Sequence, residues 1–144
     1  MIKLFQVPAH STNIDIAILV LRVSIALLML AHGVPKLLSL VSGEPVQFPA
    51  LVGSPAFSLA LAVFAEVFCS VLILMGLGTR LATIPLIITM IIAVFFIHGA
   101  DPFAMKEMGL HYLLAYVVLF ITGSGKFSID QRISKEQFKA AYAS

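Results

Sequence analysis

The sequence predicts an all-α integral membrane protein, a bundle of four helices that each cross the bilayer. Of its 144 residues, 60% are apolar and only 11% are charged, and the mean hydropathy is +1.07. A soluble domain of this size would carry far more charge. The chain also contains four apolar runs of about 20 residues, the length that crosses a bilayer as an α-helix, separated by short segments with glycine, proline or charge.

The ends of the four spans are marked by residues that start or stop helices. We expect helices over about residues 14–33, 56–75, 80–98 and 102–122, followed by a tail over residues 126–144. The first helix can continue past a kink at Pro35 to Leu40. Gly76 suits the left-handed position after the second helix. Asp101 and Pro102 are favoured at the start of the fourth helix.

The first apolar run is predicted to stay in the protein as a membrane span. It extends from Ile14 to Ala31, which is longer than the apolar region of a signal peptide, and it contains Arg22. No small-residue cleavage site follows it. The tail, in contrast, has isolated apolar residues between lysines and an arginine, a pattern that predicts a short basic amphipathic helix on the membrane surface.

The orientation follows from the lysines and arginines in the loops. With four spans, both termini and the turn between the second and third spans lie on the same side of the membrane. Six lysines and arginines fall on that side: Lys3, Arg80, Lys126, Arg132, Lys135 and Lys139. The opposite side holds Lys36 and Lys106. The count predicts that both termini are cytoplasmic (N-in/C-in).

Two classes of function are excluded by composition. The net charge is only +2, and the basic residues lie at the edges of apolar runs, so no nucleic-acid partner is expected. The single cysteine, Cys69, lies inside an apolar run. A disulfide framework, a cysteine-rich zinc site and a dithiol redox motif are therefore excluded within one chain.

Two ionisable residues are predicted inside the membrane, where an unpaired charge costs about 3 kcal/mol or more. Arg22 lies eight residues after Ile14 in the first span, and Glu66 lies ten residues before Gly76 in the second. At a rise of about 1.5 Å per residue, these depths agree within one turn. We therefore expect an ion pair or hydrogen-bonded network between Arg22 and Glu66, either as a structural clasp or as the floor of a ligand pocket.

A second polar cluster is predicted at the outer ends of three helices. Its members are His32, Lys36, His98, Glu107 and His111. Three histidines and an acid could ligate zinc or iron, hydrogen-bond to a ligand headgroup, or lie at the interface without a ligand. The spacing contains neither His-Glu-x-x-His nor Glu-x-x-His, so no metal site is predicted.

Aromatic residues accompany this cluster. Tyr112 and Tyr116 share one face of the fourth helix, and Phe95 and Phe96 lie near the outer end of the third. Such rings form an aromatic belt at a membrane boundary, or they line a slot for a flat apolar ring such as a quinone. The sequence is compatible with both arrangements.

The order of these motifs resembles the DoxX family. The residues that carry the resemblance are Arg22, His32-Gly33-x-x-Lys36, Glu66, Gly76-Leu-Gly-Thr-Arg80 and Gly123-Ser-Gly-Lys-Phe-Ser-Ile-Asp130. The resemblance implies a small protein of the bacterial inner membrane, in a family with members linked to thiosulfate:quinone oxidoreduction, quinone or oxidative stress. It also implies a bundle similar to that of vitamin K epoxide reductase, whose dithiol chemistry cannot apply to a chain with one cysteine.

The leading hypothesis is a quinone-associated membrane subunit of an oxidoreductase or oxidative-stress system, without a covalently bound cofactor. The candidate pocket residues are Arg22, Glu66, His32, Lys36, His98 and His111. The sequence does not decide whether the chain itself catalyses a reaction. Electrons would come from quinone or from a protein partner on the cytoplasmic side. The chain is expected to form a homo-oligomer or to be a subunit of a complex. The alternatives are an anchor that assembles a soluble enzyme, and a solute or proton conduit that would need an oligomer.

Overall fold

A computed structural model describes residues 11–43 and 45–142, with side chains up to residue 136. It contains five helices: α1 (Thr12–Val41), α2 (Pro55–Met75), α3 (Thr79–Ile97), α4 (Phe103–Thr122) and α5 (Ile129–Tyr142). Lys3 and Glu44 lie outside the described residues, as do the side chains of Phe138 and Lys139 in the predicted amphipathic tail.

The described residues contain no β-strand, and α1 to α4 are long and apolar enough to cross a membrane. The predicted all-α architecture with four spans is therefore confirmed. Large apolar side chains cover the outside of the bundle, for example Leu28, Phe96 and Leu114, which are 57%, 74% and 63% exposed. These side chains face lipid, because such an apolar surface is unusual on a protein in water.

The four spans alternate in direction, so the bundle has two distinct ends. We call the end that holds the loop of residues 42–54 the loop end, and the end that holds Ser11 and α5 the tail end. Helix α1 packs against α2 and α4, and α3 packs against the same two helices. Small and apolar side chains fill the centre, including Ala26, Ile73, Leu86 and Leu119.

Helix α1 takes the longer of the two predicted courses, since it includes Pro35 and continues to Val41, one residue beyond Leu40. Its 30 residues span about 45 Å at the usual helical rise, which exceeds the roughly 30 Å of a bilayer core. The helix therefore extends beyond the core. The continuation past Pro35 also brings Lys36 into the bundle.

At the tail end, the segment that connects α4 to α5 folds back against the bundle. Asp130 is 4% exposed, and its carboxylate accepts hydrogen bonds from the backbone N–H groups of Gly78 (2.7 Å) and Thr79 (3.4 Å) at the start of α3. The Asp130 N–H in turn donates to the Gly76 carbonyl at 3.0 Å. A carboxylate at this position accepts from N–H groups of the first turn of α3 that have no partner within the helix. Its negative charge also interacts favourably with the positive end of the α3 dipole.

Two buried side chains of α1 hold the same segment. The Asp15 carboxylate accepts a hydrogen bond from the Lys126 N–H at 3.0 Å, and the Arg22 guanidinium donates to the Phe127 carbonyl at 2.7 Å. Asp15 is 3% exposed and Arg22 is 2% exposed. We refer to Asp15, Arg22 and Asp130 as the tail-end network. It joins the first, third and fifth helices.

Replacing Asp130 with alanine should lower the free energy of unfolding by about 2 kcal/mol, because the Gly78 and Thr79 N–H groups lose a charged acceptor. Thermal unfolding in detergent micelles, followed by circular dichroism, measures the change. Glu136→Ala removes an exposed carboxylate from the same helix and should change the stability by less than about 0.5 kcal/mol. Equal losses in both variants would contradict this role of Asp130.

Candidate functional site

A cavity of about 210 Å³ opens between the four spans at the loop end. The residues around it come from all four spanning helices and the turn between α3 and α4. They are Met29, His32, Lys36, Glu66, Met90, Ala93, Val94, His98, Met105, Lys106, Met108, Gly109 and Tyr112. We call this space the loop-end cavity.

The most deeply buried charge at the cavity is Glu66, whose side chain is 3% exposed. One carboxylate oxygen, Oε1, accepts a hydrogen bond from the Lys36 ammonium at 2.5 Å. The other oxygen, Oε2, is buried and has no hydrogen-bond partner among the described residues. The Lys36 side chain is 36% exposed, so its ammonium reaches the buried carboxylate from the rim of the cavity.

Gly33 brings α1 and α2 close enough for this pair to form. A Cβ atom on Gly33 would lie 2.8 Å from Val67 Cγ2 and 3.0 Å from both the backbone carbon and the Cβ of Glu66. A larger residue would force the Val67 side chain to shift and the Glu66 backbone to give by a few tenths of an ångström, so glycine favours this close approach. Lys36 follows Gly33 by three residues on the same helical face, and so it lies beside Glu66.

Two π-helical segments border the cavity. The first, Phe64–Cys69, carries Glu66, and the second, Ile92–Ile97, carries Ala93 and Val94. A π-helical turn widens the helix locally, and such turns occur frequently at functional sites. Their occurrence on both sides of one cavity marks the loop end as the candidate site.

A row of rings leads from the cavity into the core. His32 and Tyr112 meet edge to face with centroids 5.7 Å apart, and Tyr112 stacks on Tyr116 with centroids 6.2 Å apart. Tyr116 is fully buried, and its hydroxyl lies near Ser70 without a well-aligned hydrogen bond among the described residues. These tyrosines therefore extend the polar character of the cavity inward.

Four methionines form much of the cavity wall: Met29, Met90, Met105 and Met108. The first two are buried, whereas Met105 and Met108 are 60% and 57% exposed. Thioether side chains are flexible and polarizable, so they adapt to the shape of an apolar ligand and contact aromatic rings favourably. Sequence reasoning missed this wall.

The predicted pairing of Arg22 with Glu66 is wrong. Arg22 bonds to the tail segment, and Glu66 bonds to Lys36. The prediction assumed that α1 begins level with the end of α2. In the structure Gly33 lies against Glu66, and Arg22 is eleven residues earlier on α1, which places its backbone about 16 Å nearer the tail end.

The other candidate residues divide between the cavity and the surface. His32, Lys36, Glu66 and His98 line the cavity together, as the sequence suggested, but exposed His111 lies outside it. The His98 Nδ1 bonds to Asp101 Oδ2 at 2.7 Å. Across the described ranges, no group of three or more histidine, cysteine, aspartate or glutamate side chains could hold a metal ion.

The DoxX family model matches residues 17–99 of the sequence. The chain belongs to the DoxX family. The matched range includes Lys36 and Glu66 of the cavity and Arg22 of the tail-end network, so both polar sites of this DoxX protein fall partly within it. The contribution of α4 to the cavity, including Tyr112, lies beyond the matched range.

Three curated relatives are similar to this DoxX protein over most of their length. An uncharacterized membrane protein of Mycobacterium tuberculosis is 29% identical, with 83% of this chain and 82% of the relative covered. An uncharacterized protein of Haemophilus influenzae is 31% identical, with 81% and 90% covered. A Bacillus subtilis protein named "putative oxidoreductase CatD" is 27% identical, with 85% and 91% covered. No solved structure matches the chain.

Replacing Gly33 with alanine should destabilise the protein by about 1–3 kcal/mol, the usual cost of overpacking, because the new methyl group would push α1 away from Glu66. Thermal unfolding in micelles measures this loss. The matched control is Val34→Ala, which alters the adjacent side chain on the outer surface, where Val34 is 41% exposed. If Gly33→Ala is as stable as the control, the close contact is not needed for the fold.

Proposed function

We propose that this DoxX protein binds the ring of a membrane quinone in the loop-end cavity and acts as the membrane subunit of an oxidoreductase or oxidative-stress system. The observation that carries the proposal is the buried Glu66 carboxylate. Lys36 holds one of its oxygens, and the other has no hydrogen-bond partner among the described residues. An acceptor of this kind inside a largely apolar cavity suits a ligand that brings a hydroxyl group as a donor.

The hydrogen-bonding groups of the cavity suit both redox forms of a quinone. The Lys36 ammonium has three donor hydrogens, of which Glu66 uses one, so it can also donate to a quinone carbonyl. A quinol hydroxyl can donate to Glu66 Oε2. It can also donate to His98 Nε2, which is an acceptor when neutral His98 donates its Nδ1 proton to Asp101.

The size and lining of the cavity support a single ring as the ligand. Its volume of about 210 Å³ is below the roughly 300–1,000 Å³ of pockets that enclose drug-sized ligands. A substituted ring would occupy the cavity while its isoprenoid chain stays in lipid. The methionine side chains would pack against the ring faces.

Electrons for the quinone would come from a protein partner, since the chain has one cysteine and thus no dithiol of its own. The name of the relative CatD supports an oxidoreductase context. We place the protein in the bacterial inner membrane, in a complex or homo-oligomer, with the tail end in the cytoplasm. The six basic residues predicted on that side, against two on the other, support this orientation.

A short-chain benzoquinone should stabilise the purified protein in micelles, by about 2.7 kcal/mol at a concentration one hundred times its Kd. His98→Gln removes the ring whose Nε2 would accept from a quinol hydroxyl, so it should weaken binding of the corresponding short-chain benzoquinol about tenfold, equivalent to about 1.4 kcal/mol. His111→Gln is the matched control, because it makes the same change on the surface outside the cavity. Thermal shift titrations provide the Kd values.

Organic extraction of the wild-type protein, followed by mass spectrometry, should also recover quinone from the native membrane. Glu66→Gln and Lys36→Gln should each reduce the amount recovered about tenfold or more. Failure to recover quinone, together with no thermal shift by the benzoquinone, would contradict the proposal. That outcome would favour a membrane anchor without a ligand.

A further inference from the structure

A second cavity, of about 370 Å³, lies at the tail end, far from the proposed quinone site. It is lined by Met75, Lys126, Phe127, Ser128, Ile129 and Arg132. Met75 is the last residue of the spanning helix α2, so the cavity lies where the membrane core meets the headgroup region. We call it the tail-end cavity.

The lining of this cavity is divided into apolar and cationic parts. Phe127, Ile129 and Met75 are 46%, 36% and 42% exposed although all three are apolar. Lys126 and Arg132 are also exposed, and their charged groups have no ion pair among the residues with described side chains. Two cations beside an exposed apolar surface at a membrane boundary match a phosphate that is attached to acyl chains.

The described acidic groups nearest the cavity accept from backbone donors and form no ion pair with these cations. The Asp130 carboxylate is buried and accepts from the Gly78 and Thr79 N–H groups, and the Asp15 carboxylate accepts from the Lys126 N–H. The Ser128 hydroxyl is also occupied, since it donates to the Gly125 carbonyl at 2.6 Å and accepts from the Gln131 N–H. Recognition of an anion would therefore rest on the Lys126 and Arg132 side chains.

We propose that the tail-end cavity binds one anionic phospholipid, with its phosphate between Lys126 and Arg132 and an acyl chain along Phe127 and Met75. The guanidinium of Arg132 offers paired donors to phosphate oxygens. The bound lipid would fill the space between α2 and the start of α5. It would thus hold α5 against the membrane surface.

Titration of the full-length protein in maltoside micelles with phosphatidylglycerol, followed by native mass spectrometry of the bound lipid, tests this site. Each cation near an anionic headgroup contributes roughly fivefold to binding. Arg132→Gln should weaken binding about fivefold and Lys126→Gln/Arg132→Gln about 25-fold, whereas Arg132→Lys, which keeps the charge but loses the paired donors, should weaken binding less than Arg132→Gln. Lys135→Gln is the matched control, because it removes one positive charge from α5 outside the cavity.

Three results would overturn the proposal. The double variant could bind phosphatidylglycerol as tightly as the wild type, or Lys135→Gln could weaken binding as much as Arg132→Gln, which would indicate diffuse attraction. Inorganic phosphate could also displace the lipid at millimolar concentration, which would indicate a site for free phosphate. Phosphatidylcholine, which lacks a net charge, should bind at least about tenfold more weakly than phosphatidylglycerol in the wild type and similarly to it in the double variant.

Discussion

The structure of this DoxX protein depends on how it accommodates the carboxylate of Glu66 inside a membrane-spanning helix. A charge in this position costs about 3 kcal/mol or more if it is unpaired. Lys36 supplies the counter-charge at 2.5 Å. The contact requires that α1 continue past Pro35, and it is favoured by the close approach of α1 to α2 at Gly33. The local features of α1 thus follow from the need to reach one carboxylate.

The polar groups of the bundle are separated into two layers with different roles. At the tail end, Asp15, Arg22 and Asp130 bond mainly to backbone groups of the connecting segment and α3, which fixes the fold of the chain. At the loop end, the carboxylate of Glu66 keeps one oxygen without a partner among the described residues and faces an open cavity. The Arg22 Nε and Nη1 atoms also lack a partner among the described residues, but they are buried away from the loop-end cavity, whereas Glu66 lines that cavity. An unpaired acceptor beside an open cavity suits ligand binding.

The sequence was sufficient to predict the four membrane-spanning helices but not the depth of each helix relative to its neighbours. Long apolar runs mark spans reliably, because the bilayer core requires about 20 residues per helix. The pairing of Arg22 with Glu66 was predicted wrongly because the residue at which a helix begins does not define how deep that helix lies relative to its neighbour. That position depends on the close approach of α1 to α2 at Gly33, which the pattern of apolar residues does not specify.

The lining of the loop-end cavity was only partly foreseeable. His32, Lys36 and His98 were found because charged and polar groups at span ends are conspicuous. The methionine wall could have been predicted from residue spacing. Met29, His32 and Lys36 share one face of α1, and Met105, Met108 and Tyr112 share one face of α4. The two π-helical segments could not have been predicted, because each has six residues of ordinary apolar composition, apart from Glu66.

A double-mutant cycle on Lys36 and Glu66 is the most direct test of this account. Replacing either residue alone with methionine should destabilise the protein in micelles by at least about 2 kcal/mol, because the remaining charge loses its partner, and replacing both should cost less than either change alone. If the two losses instead add within about 0.5 kcal/mol, the residues are independent. The pair would then not be the interaction that organises the loop end.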